Sequence, residues 1–176
     1  MHDDLEPRLR ASVRDVPDFP NPGIVFKDIT PILADPALFR ATTEAMAEPF
    51  ARDGITHVVA VESRGFILGA PVAQQLGAGF VPARKVGKLP WRTLREEYAL
   101  EYGTDVLEIH VDALPPGARV VIVDDVLATG GTAAAVAALV TRSGASMHAF
   151  AFLMTLGFLG GRVRLGDARV ESLLNY

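Results

Sequence analysis

Short apolar runs alternate along this chain with stretches whose apolar residues recur at helical spacing. Residues 57–61 (HVVAV) and 118–124 (ARVVIVD) are apolar almost throughout, which predicts strands covered on both faces. Residues 65–77 (GFILGAPVAQQLG) and 131–144 (GTAAAVAALVTRSG) carry the period of a helix, with Gly144 placed as a C-terminal cap. Further strands are predicted over 79–84, either whole or interrupted at Pro82, over 105–111 and 146–154, and weakly over 169–174. This alternation predicts an α/β fold with a mostly parallel sheet flanked by helices, built as a single domain over 1–176. Ligands of such sheets bind where strand carboxyl ends meet helix N-termini, which directs attention to the residues just after 61, 84 and 123.

Two stretches break the alternation. Residues 17–36 hold five of the twelve prolines and read as an irregular, rigid arm. Residues 85–103 read as one long charged connection, a length that in a compact domain accompanies function or mobility.

Composition narrows the chemistry. The 176 residues are 49% apolar and 22% charged, enough for a soluble domain with a sizeable core. The net charge is −4 and no block of five like charges occurs, which argues against nucleic acid or an anionic membrane as a partner. Any phosphate site must therefore be local. The absence of cysteine excludes disulfides, thiolate zinc sites and cysteine nucleophiles. The N-terminus lacks the apolar core of a signal peptide, and the apolar runs are too short to span a bilayer, so a cytoplasmic location is expected.

The stretch VVIVDDVLATGGT (120–132) joins two features of opposite preference. Gly130 and Gly131 allow close backbone approach, and the amides of Ala128 to Thr132 lead into a helix N-terminus, which makes an anion site. Thr129 and Thr132 add hydroxyl donors, and Thr132 can cap the helix. No lysine follows the glycines, so this is not a nucleoside-triphosphate loop. Asp124 and Asp125 suit a vicinal diol, so a phosphorylated sugar would satisfy both features; an acidic capping loop is the plainer alternative. Glu62, Ser63 and Arg64 form a second strand-to-helix junction, where the Arg64 fork matches phosphate oxygens or simply faces solvent. Arg84, Lys85 and Lys88 crowd a third. Phe26, with the backbone of Val25 and Lys27, offers a stacking surface for a flat heterocycle, or packs as a structural arm.

Residues 120–132 resemble the phosphoribosyl-diphosphate (PRPP) motif of type I phosphoribosyltransferases, and DDVLATGGT is most similar to the adenine-specific branch. VESRGF (61–66), ARKVGKLP (83–90), YALEYG (98–103) and DFPNPGIVFKDITPIL (18–33) resemble that family's other motifs, in its order. The resemblance runs from about residue 17 to the end. It implies the type I fold with a small N-terminal hood at about 17–36 and a mobile catalytic loop at about 85–103. It implies purine salvage: adenine and PRPP give AMP and pyrophosphate, with Mg²⁺ bound mainly through PRPP rather than by direct protein ligands. Asp124 and Asp125 would hold the ribose and Ala128 to Thr132 the 5-phosphate. Glu62, Ser63, Arg64, Arg84, Lys85 and Lys88 would form the pyrophosphate site, with a cis peptide at Glu62–Ser63. Val25, Phe26 and Lys27 would hold adenine, and Glu101 would act near the base, with Arg64 and Lys88 as its catalytic partners. A homodimer is implied as well. Val86 and Trp91 depart from the usual pattern of the basic loop. Another purine, hypoxanthine or xanthine, is the alternative substrate; a non-catalytic PRPP-sensing regulator is a second, and the short acidic stretch before the hood has no room for a DNA-binding module.

Overall fold

The computed structural model describes residues 4–99 and 104–176. It divides into two compact units, Met1–Ala45 and Met46–Tyr176. In the first, α1 (Leu5–Ser12) precedes an antiparallel pair, β1 (Arg14–Pro17) and β2 (Val25–Asp28), in which Val16 faces Phe26. The short α2 (Thr30–Ala34) follows, and α3 (Pro36–Ala47) carries the chain into the second unit. The proline-rich arm is thus partly regular. Asp35 starts α3: its Oδ1 accepts from the Ala37 and Leu38 amides at 2.9 and 3.0 Å, with Pro36 just inside the helix.

The second unit carries β3 (His57–Val61), α4 (Arg64–Leu76), β4 (Gly79–Lys85), β5 (Thr93–Ala99), β6 (Thr104–His110), β7 (Arg119–Leu127), α5 (Gly131–Arg142), β8 (Ser146–Thr155), α6 (Gly161–Arg164) and β9 (Val170–Asn175). Among the described residues these strands form one seven-stranded sheet in the order β5-β6-β4-β3-β7-β8-β9. The five strands from β4 to β9 are parallel; β6 and β5 add antiparallel pairs at one edge.

The apolar runs are explained by cover on both faces. Val59, Val61, Val120 and Ile122 pack with Val136, Leu139 and Val140 of α5. The alternate residues Ala60 and Val123 face Gly69 of α4. Each fully buried Val, Ile or Phe contributes about 1.5–3 kcal/mol. Gly69 is the tightest point of this packing: a Cβ there would lie 2.5 Å from the Ala60 Cβ. Gly69→Ala is therefore expected to cost about 1–3 kcal/mol by overpacking, read as a lower midpoint in urea; an unchanged midpoint would contradict the close approach of α4 to β3.

Several sequence-based expectations need correction. β4 is not interrupted at Pro82, which is in register with Ala60. Gly79 and Ala83 make the backbone bonds towards β3, so Pro82 points to the other side, where β6 pairs only with Arg84 and Lys85. The 85–103 connection is not all loop, because β5 lies within it. Buried Glu108 organises this edge by accepting from Gly87 N at 2.9 Å, Thr93 Oγ1 at 2.9 Å and Arg95 Nε at 3.2 Å. Burial pushes the Glu108 carboxyl up, but these hydrogen bonds prevail and hold it below its ordinary range. α5 ends at Arg142 with Ser143 as its cap residue, and Gly144 follows at φ +83°. No helix among the described residues is long and apolar enough to cross a membrane.

Candidate active site

The chain passes from β3 to β4 on one side of the sheet and from β7 to β8 on the other, so a crevice opens where β3 and β7 end. A cleft of about 470 Å³ occupies it, lined by residues 61–64 at the end of β3 and the start of α4, residues 124–133 from β7 through the turn into α5, and Lys85, Tyr98 and Asp105 from the antiparallel edge.

β7 does not stop at its apolar run. It continues through both aspartates to Leu127, held by pairing of Asp124 with Phe152 and Val126 with Met154. The carboxylates are thereby fixed on a strand. Asp124 Oδ1 accepts from the Asp125 amide at 2.9 Å, and buried Asp125 takes Arg64 Nε on Oδ2 at 2.6 Å. Burial pushes the Asp124 carboxyl well above its ordinary range, and the charge of Asp125 adds to this. Burial raises Asp125 too, against the pull of the Arg64 guanidinium. Gly65 makes room for the pair: a Cβ there would meet Asp124 Oδ1 at 2.8 Å and Val123 O at 3.0 Å.

The turn that follows is an open helix end. Gly130, at φ +79°, is the cap residue of α5, and no side chain caps the helix; Thr132 does not serve as cap. The first helical bond runs from Ala134 N to Gly130 O at 3.0 Å. The amides of Gly131, Thr132 and Ala133 therefore have no partner within the helix and present the positive end of its dipole.

Across the cleft the Glu62–Ser63 peptide is cis, and Arg64 opens α4. Glu62 gathers two of the basic residues: Arg84 Nε donates to Oε2 at 2.8 Å and Lys88 Nζ lies 3.4 Å from Oε1. Burial raises the Glu62 carboxyl, but Arg84 and Lys88 more than reverse this. Lys85 Nζ sits 2.9 Å from Asp105 Oδ2, which raises the ammonium and lowers the carboxyl.

The structure thus brings Glu62, Ser63, Arg64, Lys85, Asp124, Asp125 and Ala128 to Thr132 around one cleft, with Arg84 and Lys88 attached through Glu62. Val25, Phe26 and Lys27 belong to the first unit, where Lys27 Nζ donates to Asp15 at 2.6 Å and the Phe26 ring meets Phe19 edge-on at 5.1 Å. Glu101 lies outside the described residues. Tyr98 and Asp105 were missed in the sequence. They are paired across β5 and β6, and only that register reveals them as neighbours.

Comparison with known proteins agrees with this geometry. The phosphoribosyl transferase domain model matches residues 28–157. The chain is 59% identical over 168 residues to adenine phosphoribosyltransferase of Anaeromyxobacter sp. (strain Fw109-5), covering 96% of this chain and 95% of that one. It is 60% identical to the Myxococcus xanthus enzyme of the same name, covering 96% and 91%. Among solved structures, adenine phosphoribosyltransferase of Rhodothermus marinus superposes with a TM-score of 0.94 at 54% identity, covering 98% and 99% of the two chains. The Saccharomyces cerevisiae enzyme, solved with an imino-altritol bisphosphate and adenine, gives 0.92 at 42% identity, covering 97% and 99%. A domain match over most of the chain, with relatives at this identity and coverage, makes this chain a member of the adenine phosphoribosyltransferase family.

Proposed function

We propose that this cleft carries the family's reaction, transfer of the 5-phosphoribosyl group from PRPP to adenine with release of AMP and pyrophosphate. The supporting observation is the convergence of the Asp124–Asp125 strand end, the α5 N-terminus and the Arg64 junction on one space. PRPP carries matching groups: a diol, a monophosphate and a diphosphate. The 5-phosphate is assigned to the amides and hydroxyls of Ala128 to Thr132. The ribose hydroxyls donate to Asp124 and Asp125. Breaking the anomeric bond builds positive charge on the ribose, and the two carboxylates beneath it are fixed in advance. Arg64, Lys85 and Lys88, with Arg84, Glu62 and Ser63, receive the pyrophosphate.

The donor set fits Mg²⁺. Carboxylate oxygens stand beside a phosphate site, and this cation takes one or two carboxylates together with substrate phosphates. When bound it neutralises charge on the leaving pyrophosphate. PRPP itself is assigned most of the ligands.

Adenine is assigned to Phe26 and the backbone of Val25 and Lys27. Their strand, β2, is held in an antiparallel pair with β1. Glu101 is assigned to orienting or protonating the base, and the segment around it to closing over the substrates against hydrolysis. Relatives support the ligand set: the yeast structure contains adenine, and a Trypanosoma brucei relative was solved with AMP, pyrophosphate and ribose 5-phosphate. A homodimer acting in the cytoplasm as a single functional domain completes the reading.

The test is direct. Protein, Mg²⁺ and PRPP are incubated with each purine and nucleotide is measured. AMP from adenine, at a kcat/KM about 100-fold or more above that for hypoxanthine, is the expected result. No AMP would sink the reading, and faster inosine monophosphate formation would reassign the base.

A further inference from the structure

Behind the glycine turn lies a segment that belongs to none of the sequence motifs. After β8 the chain makes a short 3₁₀ turn, Gly157–Leu159, and then α6. Backbone bonds fix its start: Leu156 N donates to Leu127 O at 2.9 Å and Gly157 N to Tyr176 O at 2.8 Å. Buried Gly161 then lies directly against the turn. A Cβ on Gly161 would fall onto the Ala128 carbonyl oxygen, with Ala128 C and Gly130 N each 2.9 Å away. The contact is reciprocal: a Cβ on Gly130 would lie 2.6 Å from Gly161 O and 3.2 Å from Gly161 Cα. Two bare backbones therefore touch. Almost all the opposing atoms are main chain, so no rotamer change can make room.

We infer that Gly161 is a positioning residue for the 5-phosphate: its missing side chain sets how deeply the Ala128–Gly131 turn sits in the cleft. The inference rests on the assignment of that turn to the 5-phosphate. A methyl group at 161 displaces the turn towards the ligand and misaligns amides whose value depends on placement within about an ångström. The atoms nearest a Cβ at 161 all belong to the Ala128–Gly130 turn, so the pyrophosphate side of the cleft, on β3 and β4, keeps its geometry.

The test compares wild type, Gly161→Ala and Gly160→Asn. Gly160 is at φ +69° with nothing within 4 Å of a built Cβ, and Asn tolerates that conformation, so Gly160→Asn perturbs the same segment without touching the turn. Gly161→Ala is expected to raise KM for PRPP and Kd for ribose 5-phosphate by about tenfold or more. KM for adenine and inhibition by pyrophosphate should stay within about twofold, as should every parameter of Gly160→Asn. Folded Gly161→Ala with unchanged ribose 5-phosphate binding would overturn the inference. So would equal losses for adenine, pyrophosphate and ribose 5-phosphate, or an equal defect in Gly160→Asn. If Gly161→Ala does not fold, hydrogen exchange on wild type decides: ribose 5-phosphate should slow exchange at residues 156–165 as well as 128–132, and protection confined to 128–132 overturns the inference. A wild type that makes no AMP but binds ribose 5-phosphate defeats the functional reading and leaves the positioning role standing.

Discussion

Asp124→Asn is expected to give a protein that is harder to unfold and almost inactive. The half-buried carboxyl sits beside a second carboxyl, and desolvation and that neighbouring charge both favour its neutral form. Asparagine keeps the oxygen that accepts from the Asp125 amide and removes the charge that burial penalises. Stability should rise by about 1 kcal/mol, or about 2–4 °C in Tm for a chain of this size. Activity should move the other way. The variant loses a fixed negative charge under the developing ribose cation, and kcat/KM for PRPP should fall about 100-fold or more. The pH dependence follows from the sign of the shift. A carboxyl whose folded value is raised contributes stability that is fully present below its unfolded pKa and is lost as pH rises through the folded value. Wild-type Tm should therefore climb as pH falls from neutral towards the ordinary carboxylate range, and the variant should climb less. Glu62, Asp105 and Glu108, whose values are lowered, reverse the trend below about pH 4. Melting curves across pH with PRPP kinetics test both halves; a lower Tm or retained activity refutes the account. Asp125→Asn should behave differently, since it loses the 2.6 Å ion pair with Arg64 and has no comparable stability to gain.

Arg64→Ala should damage binding and stability together. Its guanidinium is assigned to pyrophosphate, and its loss should reduce kcat/KM for PRPP by about 100-fold, mainly through KM. It also leaves buried Asp125 without that ion pair, at a cost of about 1–3 kcal/mol for a pair with one partner partly exposed. The deficit should shrink as pH falls, because Asp125 then takes up a proton. Arg64→Lys restores charge without the planar fork and should recover only part of the affinity. Steady-state kinetics and urea unfolding at two pH values suffice; full recovery in Arg64→Lys would show that charge alone matters there.

The parallel core was legible because apolar β3 and β7 lie between α4 and α5, and burial on both faces leaves an unambiguous mark. β5 left none. Its sequence, TLREEYA, has three adjacent charged residues because it is an edge strand, and it is held partly by the buried carboxylate of Glu108, a residue on another strand. α3 was legible and overlooked, since Asp35 followed by Pro36 is a helix-start signal. The phosphate turn could be read locally because all its parts are contiguous. Gly161 could not, because it acts only through contact with residues about thirty positions earlier in the sequence.

The pairing of each cation in the cleft with an internal acid has a consequence for selectivity. Arg64 is matched by Asp125, Lys85 by Asp105, and Arg84 and Lys88 by Glu62. A small anion with one or two charges gains little by competing with a carboxylate that is already in place and pre-oriented. A ligand that presents two phosphate groups and a diol on one frame exchanges with several of these acids in a single event and releases them together. A cleft paired in this way favours a ligand that carries several correctly spaced charges over a lone inorganic phosphate.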